Sequence, residues 1–377
     1  MKRIAFISED NPFTDKVAWS GTLFKLRESI ERAGCEVEWL PVGLSQRQKV
    51  WGLRIFRKLF HGCPLWDKNA LYFRLLANSI DCKRLKNGRF DYIFFPAFYQ
   101  MACFLRTDIP SIGHGDATFR GMQDYYWKNL PPMVARMGNR IEKRGLEACH
   151  TVVRASDWAA ASAVNDYGID ASKVKVLELG ANFDFPEKIS YQPYVSGGRL
   201  NVIFSGVDWQ RKGGDVAVGT VALLRERGID AHLYIMGIRE LPDSAKGLDY
   251  IEHVGYLNKN NPVEYARYVD CFSQGQLFLL PTSAECAGVV FSEASGFGIP
   301  SFTYDTGGVP NYVENGVNGY RLPLGAGAQA FADRILEVID NGSLAALHEG
   351  ALRKYASNLS WDAWSARFRK IIDDDSK

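Results

Sequence analysis

Twelve short runs rich in β-branched, aromatic and leucine residues recur along the whole chain, separated by helical periodicity or turns. The first six are Ile4–Ile7, Val37–Leu40, Tyr92–Phe95, Ser111–Gly113, Thr151–Val153 and Val174–Leu177. The second six are Asn201–Ser205, His232–Met236, Tyr250–Val254, Leu277–Leu280, Ser301–Tyr304 and Tyr320–Leu322. Runs such as Leu277–Leu280 are apolar throughout, as expected of strands covered on both faces. Between the first two runs, Leu23, Leu26 and Ile30 mark one face of a helix that Gly34 can end. Such alternation predicts an α/β fold with parallel sheets between helical layers. A chain of 377 residues is long enough for two such domains.

The segment from Phe185 to Gly198 is polar and turn-rich, and it separates the two sets of strands. The expected organisation is a first Rossmann-like domain over 1–185, a linker over 186–199, a second Rossmann-like domain over 200–355 and a terminal helix over 356–377. Trp361, Trp364, Phe368 and Ile372 mark the apolar face of that helix. Ligands of such sheets bind beyond the carboxyl ends of the strands.

Net charge is only +2, but from Arg47 to Arg89 there are eleven Lys/Arg against two Asp/Glu. In that stretch Trp51, Ile55, Phe56, Leu59 and Phe60 interleave with Arg47, Lys49, Arg54, Arg57 and Lys58. This spacing predicts a basic amphipathic helix, either a membrane-surface element or a solvated face. Seven cysteines form no Cys-x-x-Cys pair, so neither zinc nor a disulfide framework is expected. No apolar run approaches the length of a membrane span and the N-terminus lacks a signal-peptide core, so a cytoplasmic protein is expected. No nucleic-acid-reading motif is present, and no G-x-G-x-x-G follows the first strand, which disfavours a nicotinamide dehydrogenase.

Two loops carry the chemistry of the second half. In PTSAECAGVVFSEASGFGIP, from Pro281 to Pro300, Glu285 and Glu293 are separated by seven residues, with Gly288 between them. Glu285 should lie on the loop leaving a strand, and Glu293 within the helix that follows. The start of that helix leaves amides unpaired and partly positive, which suits a diphosphate. Upstream, VIFSGVDWQRKGG runs from Val202 to Gly214; Gly206 closes a strand and Lys212-Gly213 follows.

Together these two blocks resemble the retaining, nucleotide-sugar-dependent glycosyltransferases of family 4, which have the GT-B fold of two Rossmann-like domains facing across a cleft. The resemblance implies that Lys212, with Arg211 as a candidate second cation, faces the donor diphosphate. It implies that the amides of Ala287, Gly288 and Val289 bind the phosphates, that Glu285 faces the donor sugar, and that Glu293 faces the ribose. The family's second basic residue, directly after the strand-end glycine, is here Val207, a departure that leaves Lys212 as the main cation. Gly21, in Trp19-Ser20-Gly21-Thr22, matches the family's glycine loop. A family histidine that contacts the donor sugar falls near Asp116, with His114 two residues earlier; the register leaves open which of the two does so. Arg154 is either a contact for an acceptor phosphate or a partner in a surface ion pair.

The resemblance thus implies sugar transfer, with retention and without a metal or other cofactor, from a UDP- or GDP-sugar to a glycan or lipid-linked acceptor. The setting it implies is bacterial surface-glycan or glycolipid assembly, on the cytoplasmic side and in contact with an anionic membrane. Sugar-nucleotide epimerisation, phosphorolysis and nucleotide-sugar binding without turnover are the alternatives.

Overall fold

The computed structural model describes residues 1–185 and 193–374. Residues 186–192 of the expected linker lie outside the described residues. All twelve expected strands form. They are β1 (Lys2–Ser8), β2 (Cys35–Pro41), β3 (Tyr92–Phe95), β4 (Ser111–Gly115), β5 (Thr151–Arg154) and β6 (Val174–Val176), then β7 (Arg199–Ser205), β8 (Asp230–Met236), β9 (Ile251–Gly255), β10 (Leu277–Leu280), β11 (Ser301–Tyr304) and β12 (Gly319–Leu322). They assemble into two six-stranded sheets in which every pairing is parallel.

Contacts divide the chain into two compact units. One comprises Met1–Leu177 and the chain from Ser365 on; the other is Glu178–Trp364. The sheet of the first unit has the order β2-β1-β3-β4-β5-β6. Its central strands are largely buried, with Ile4 to Ile7 and Ile93 to Phe95 closed to solvent. The helix Thr22–Arg32 (α1) returns the chain from β1 to β2 and buries Leu23, Leu26 and Ile30. The terminal helix, Trp361–Asp374, also contributes to this unit: Phe368 meets Phe94 edge-on at 5.9 Å, and the Tyr92 hydroxyl donates to the Ile372 carbonyl at 3.4 Å.

The sheet of the second unit has the order β12-β11-β10-β7-β8-β9. This is the doubly wound arrangement, in which strand order reverses between β7 and β10. Crossover helices on the faces leave no solvent for β10, which explains its unbroken Leu-Phe-Leu-Leu. Connections that leave β7 and β10 in opposite directions open a crevice at their carboxyl ends, and both sequence blocks fall there.

Candidate functional site

In the second unit, the loop after β7 is short and tightly built. Asp208 accepts from the amide of Arg211 at 3.0 Å and caps a one-turn helix, Trp209–Lys212. The stem of Lys212 lies across Gly206, where a Cβ would come within 2.8 Å of its Cγ. Gly213 ends that turn at φ 76° with its α-carbon against Pro281, so a Cβ would sit 2.2 Å from the Pro281 carbonyl oxygen. Only glycine lets the two loops approach this closely. The Ser283 amide and hydroxyl both donate to the Arg211 carbonyl, at 2.8 and 3.1 Å.

This clasp places the predicted residues side by side. Lys212, 8% exposed, donates from Nζ to Glu285 Oε2. Arg211 Nη1 donates to the Ala284 carbonyl at 3.0 Å and lies 3.8 Å from the same Glu285 oxygen. Arg211 is therefore turned inward and is not a free surface cation. Directly after this loop, the helix Val289–Gly296 begins with Gly288 as its N-cap, at φ 72° and with no side chain capping its amides. Val207, which replaces the family's second cation, is exposed and lines a separate cavity of about 370 Å³ with Trp209, Arg239 and Tyr256.

Glu293 is 3% exposed and is not alone. Lys259 Nζ donates to its Oε1 at 2.7 Å, and the Tyr268 hydroxyl to its Oε2 at 3.0 Å. Burial, then the neighbouring carboxylate, push the Tyr268 hydroxyl well above its ordinary pKa, so it stays a donor. The Lys259 ammonium also lies over the rings of Phe183 and Tyr268, at 5.0 and 4.8 Å. Sequence reasoning missed both partners. Lys259 does sit in the loop after β9, at the ligand-binding edge of the sheet, which is the one signal that could have marked it.

In the first unit, His114 belongs to β4, which runs two residues past its expected end; Asp116 follows directly after it. Both line a cavity of about 170 Å³ at the carboxyl ends of β3 and β4, with Trp19, Gln100, Trp127 and Glu142. Gly21 N-caps α1 at φ 90°. The two residues before it, Trp19 and Ser20, are also left-handed, and the Trp19 indole meets the His114 ring edge-on at 5.7 Å.

One expectation is corrected here and one is sharpened. Arg154 is not part of a surface ion pair. It is fully buried, donates to the carbonyls of Gly113 and Val153 at 3.1 and 2.7 Å, and stacks over the Tyr99 ring at 4.5 Å. The basic helix forms as Gln46–Leu59 (α2), but Phe56 and Phe60 turn inward, 4.5 Å apart, onto a small core with Trp66 and Phe119. The apolar residues α2 leaves exposed are Val50, Trp51, Ile55 and Leu59. No helix among the described residues is long and apolar enough to cross a membrane. Among the described residues no three His, Cys, Asp or Glu side chains converge as a metal site.

Residues 199–341 match the family described as glycosyl transferases group 1, and residues 22–185 match glycosyltransferase family 4. The chain belongs to this glycosyltransferase family. The two matches fall on the two units in turn and together span most of the sequence. Among its relatives is a D-inositol 3-phosphate glycosyltransferase of Arthrobacter sp. (strain FB24), 26% identical over 62% of this chain and 59% of that protein. Another is the amylovoran biosynthesis glycosyltransferase AmsK of Erwinia amylovora, 26% identical over 45% of this chain and 43% of that protein. The chain spans little more than half the length of the first curated relatives it matches. Its fold is GT-B. It is similar to sucrose-phosphate synthase from Thermosynechococcus elongatus, at TM-score 0.66 and 16% identity over 99% of both chains. It is also similar to HepE of Anabaena, solved in complex with UDP and glucose, at TM-score 0.61 and 12% identity over 99% of this chain and 100% of that one.

Proposed function

We propose that this glycosyltransferase moves a hexose-type sugar, with retention, from a UDP- or GDP-sugar to an acceptor hydroxyl in bacterial surface-glycan or glycolipid assembly. The observation that carries the reading is the convergence of Arg211 and Lys212 on Glu285 beside the uncapped start of the helix Val289–Gly296. Support comes from relatives named for inositol-phosphate and amylovoran glycosyl transfer, and from the neighbour that binds UDP and glucose.

In this reading the diphosphate exchanges into the cationic pair, and Lys212 with the amides of Ala287, Gly288 and Val289 stabilises the charge of the leaving group. The bond between the sugar C1 and the diphosphate oxygen breaks, its electron pair staying on that oxygen. The acceptor oxygen bonds to C1 on the same face, and its proton passes to the departing phosphate oxygen. No metal is required, since side-chain cations supply the charge. Glu285 orients the donor-sugar hydroxyls, Glu293 accepts from the ribose diol, and His114 or Asp116 contacts the donor sugar.

Calorimetry against UDP, GDP, ADP and dTDP tests the donor half. Glu285→Gln is expected to lower turnover and leave affinity for the preferred diphosphate nearly intact. Glu293→Gln is expected to weaken the diphosphate itself by about 1.5–3 kcal/mol, the cost of a lost hydrogen bond to a charged group. Equal losses of affinity in both variants would contradict the division of roles.

We also propose that α2 lies on an anionic membrane. Arg47, Arg54, Arg57 and Lys58 are exposed on the same helix as Trp51, Ile55 and Leu59, which are 57%, 53% and 65% exposed. Each cation near such a surface contributes about 1 kcal/mol, attenuated by salt. In flotation at low salt, the wild type is expected to rise with anionic vesicles, and the Arg54→Gln, Arg57→Gln, Lys58→Gln triple variant to remain below. Wild type that ignores those vesicles leaves α2 a solvated face.

A further inference from the structure

We propose that Lys259 is a positioning residue for the nucleotide. With Tyr268 it holds the Glu293 carboxylate in the orientation that fits a ribose diol, and it thereby sets a preference for ribonucleoside over 2′-deoxyribonucleoside diphosphates. The proposal rests on the reading that Glu293 accepts from the ribose, and it names what orients that acid.

A glutamate does not orient its own carboxylate. Its last torsion joins an sp³ to an sp² carbon and is broad and roughly two-fold, so neighbours must set the plane. Glu293 has such neighbours on both oxygens. Lys259 Nζ donates to Oε1 at 2.7 Å, and the Tyr268 hydroxyl to Oε2 at 3.0 Å. With only 3% of the residue exposed, these donors rather than bulk water fix the plane. A carboxylate offers about four lone-pair positions, shared equally by its oxygens. One position on each oxygen is taken by the protein and one on each is left. That remainder matches the paired hydroxyl hydrogens of a ribose diol.

Both donors come from one loop and the helix it opens, Pro262–Ser273, after β9. Asn261 caps this helix, its side chain accepting from the amides of Val263 and Glu264 at 3.0 and 3.5 Å. Just upstream, the Asn258 amide donates to Glu264 Oε2 at 2.7 Å. Asn258 in turn accepts from the amides of Asn260 and Asn261, both at 2.9 Å. Lys259 is thus carried between two braced neighbours, and its ammonium lies over the rings of Phe183 and Tyr268. Lysine has a flexible four-carbon stem, and this setting removes much of that freedom before a nucleotide arrives. Tyr268 is fixed as well. Its one hydroxyl hydrogen goes to Glu293, so Ser205 Oγ, 3.2 Å away at the end of β7, is the donor to the phenol oxygen.

The test is calorimetry on the whole chain with UDP, GDP and the 2′-deoxy form of each. The wild type is expected to bind its preferred ribonucleotide at least about tenfold more tightly than the deoxy form, as for one hydrogen bond to a charged group. In Lys259→Met the gap is expected to fall below about threefold, the scale of a weak neutral hydrogen bond. Lys259→Arg keeps a cationic donor and is expected to stay nearer to wild type than Lys259→Met does. Tyr268→Phe removes the other donor, keeps the ring beneath the ammonium and is expected to narrow the gap too; it carries the test if Lys259→Met does not fold. A lysine needed only for stability would lower affinity for both nucleotides alike and leave their ratio unchanged. An unchanged gap in Lys259→Met or in Tyr268→Phe overturns the proposal. So does a Lys259→Met variant that binds the ribonucleotide more tightly than wild type, since the lysine would then compete with the ribose. Glu293→Gln separates the two levels. A wild-type gap that closes in Glu293→Gln but not in Lys259→Met leaves the ribose reading standing without the proposal, and no gap in the wild type overturns both.

Discussion

Lys212→Ala is expected to lower sugar transfer by about 10²–10³-fold, the usual loss when one preorganised charge-stabilising donor is removed. Diphosphate affinity should fall by about 1.5–3 kcal/mol in the same variant, as for a hydrogen bond to a charged group. The fold should be little affected, because Glu285 keeps Arg211 3.8 Å away and retains some contact with solvent. Initial rates at saturating donor, with calorimetry on the free diphosphate, separate the two effects. If the rate stays within threefold (about 0.65 kcal/mol of barrier), Lys212 is not the cation of the reaction.

Lys259→Met is expected to act on stability, lowering the urea-unfolding free energy of the second unit by about 3 kcal/mol. Removing one partner of a buried ion pair typically costs about 3–5 kcal/mol, because the remaining charge is stranded. The lower end applies because Tyr268 continues to donate to Glu293. Lys259→Met combined with Glu293→Gln should recover most of that loss, since the stranded charge is then gone. A single variant as stable as wild type would show that water already compensates Glu293. A double variant no better than the single would shift the explanation to the packing of the lysine over Phe183 and Tyr268.

The strands were legible because parallel strands between helical layers need apolar side chains on both faces, as in Leu277–Leu280 and Ile4–Ile7. The loops at the crevice were legible for a related reason. Gly206, Gly213 and Pro281 mark places where one backbone lies against another, and Glu285 and Lys212 stand beside them. What stayed hidden depends on packing between distant segments. Lys259 and Glu293 are 34 residues apart, on different elements, with no shared periodicity. Arg154 ends β5, and strand alternation alone does not show that its guanidinium folds back over Tyr99. In α2 the spacing identified an amphipathic helix, but Phe56 is claimed by a core that includes Phe119, far along the chain. Pairings of that kind follow from the tertiary fold and have no local signature.

The most direct test of the central claim is proton NMR of the sugar first released or transferred from each donor, recorded in excess EDTA with UDP- and GDP-sugars in turn. The account predicts that one donor is consumed under chelation, that its nucleoside diphosphate accumulates, and that the new glycosidic bond has the anomeric configuration of the donor. Consumption only after a divalent metal is restored, an inverted product, or a free sugar or epimer formed without transfer would contradict it.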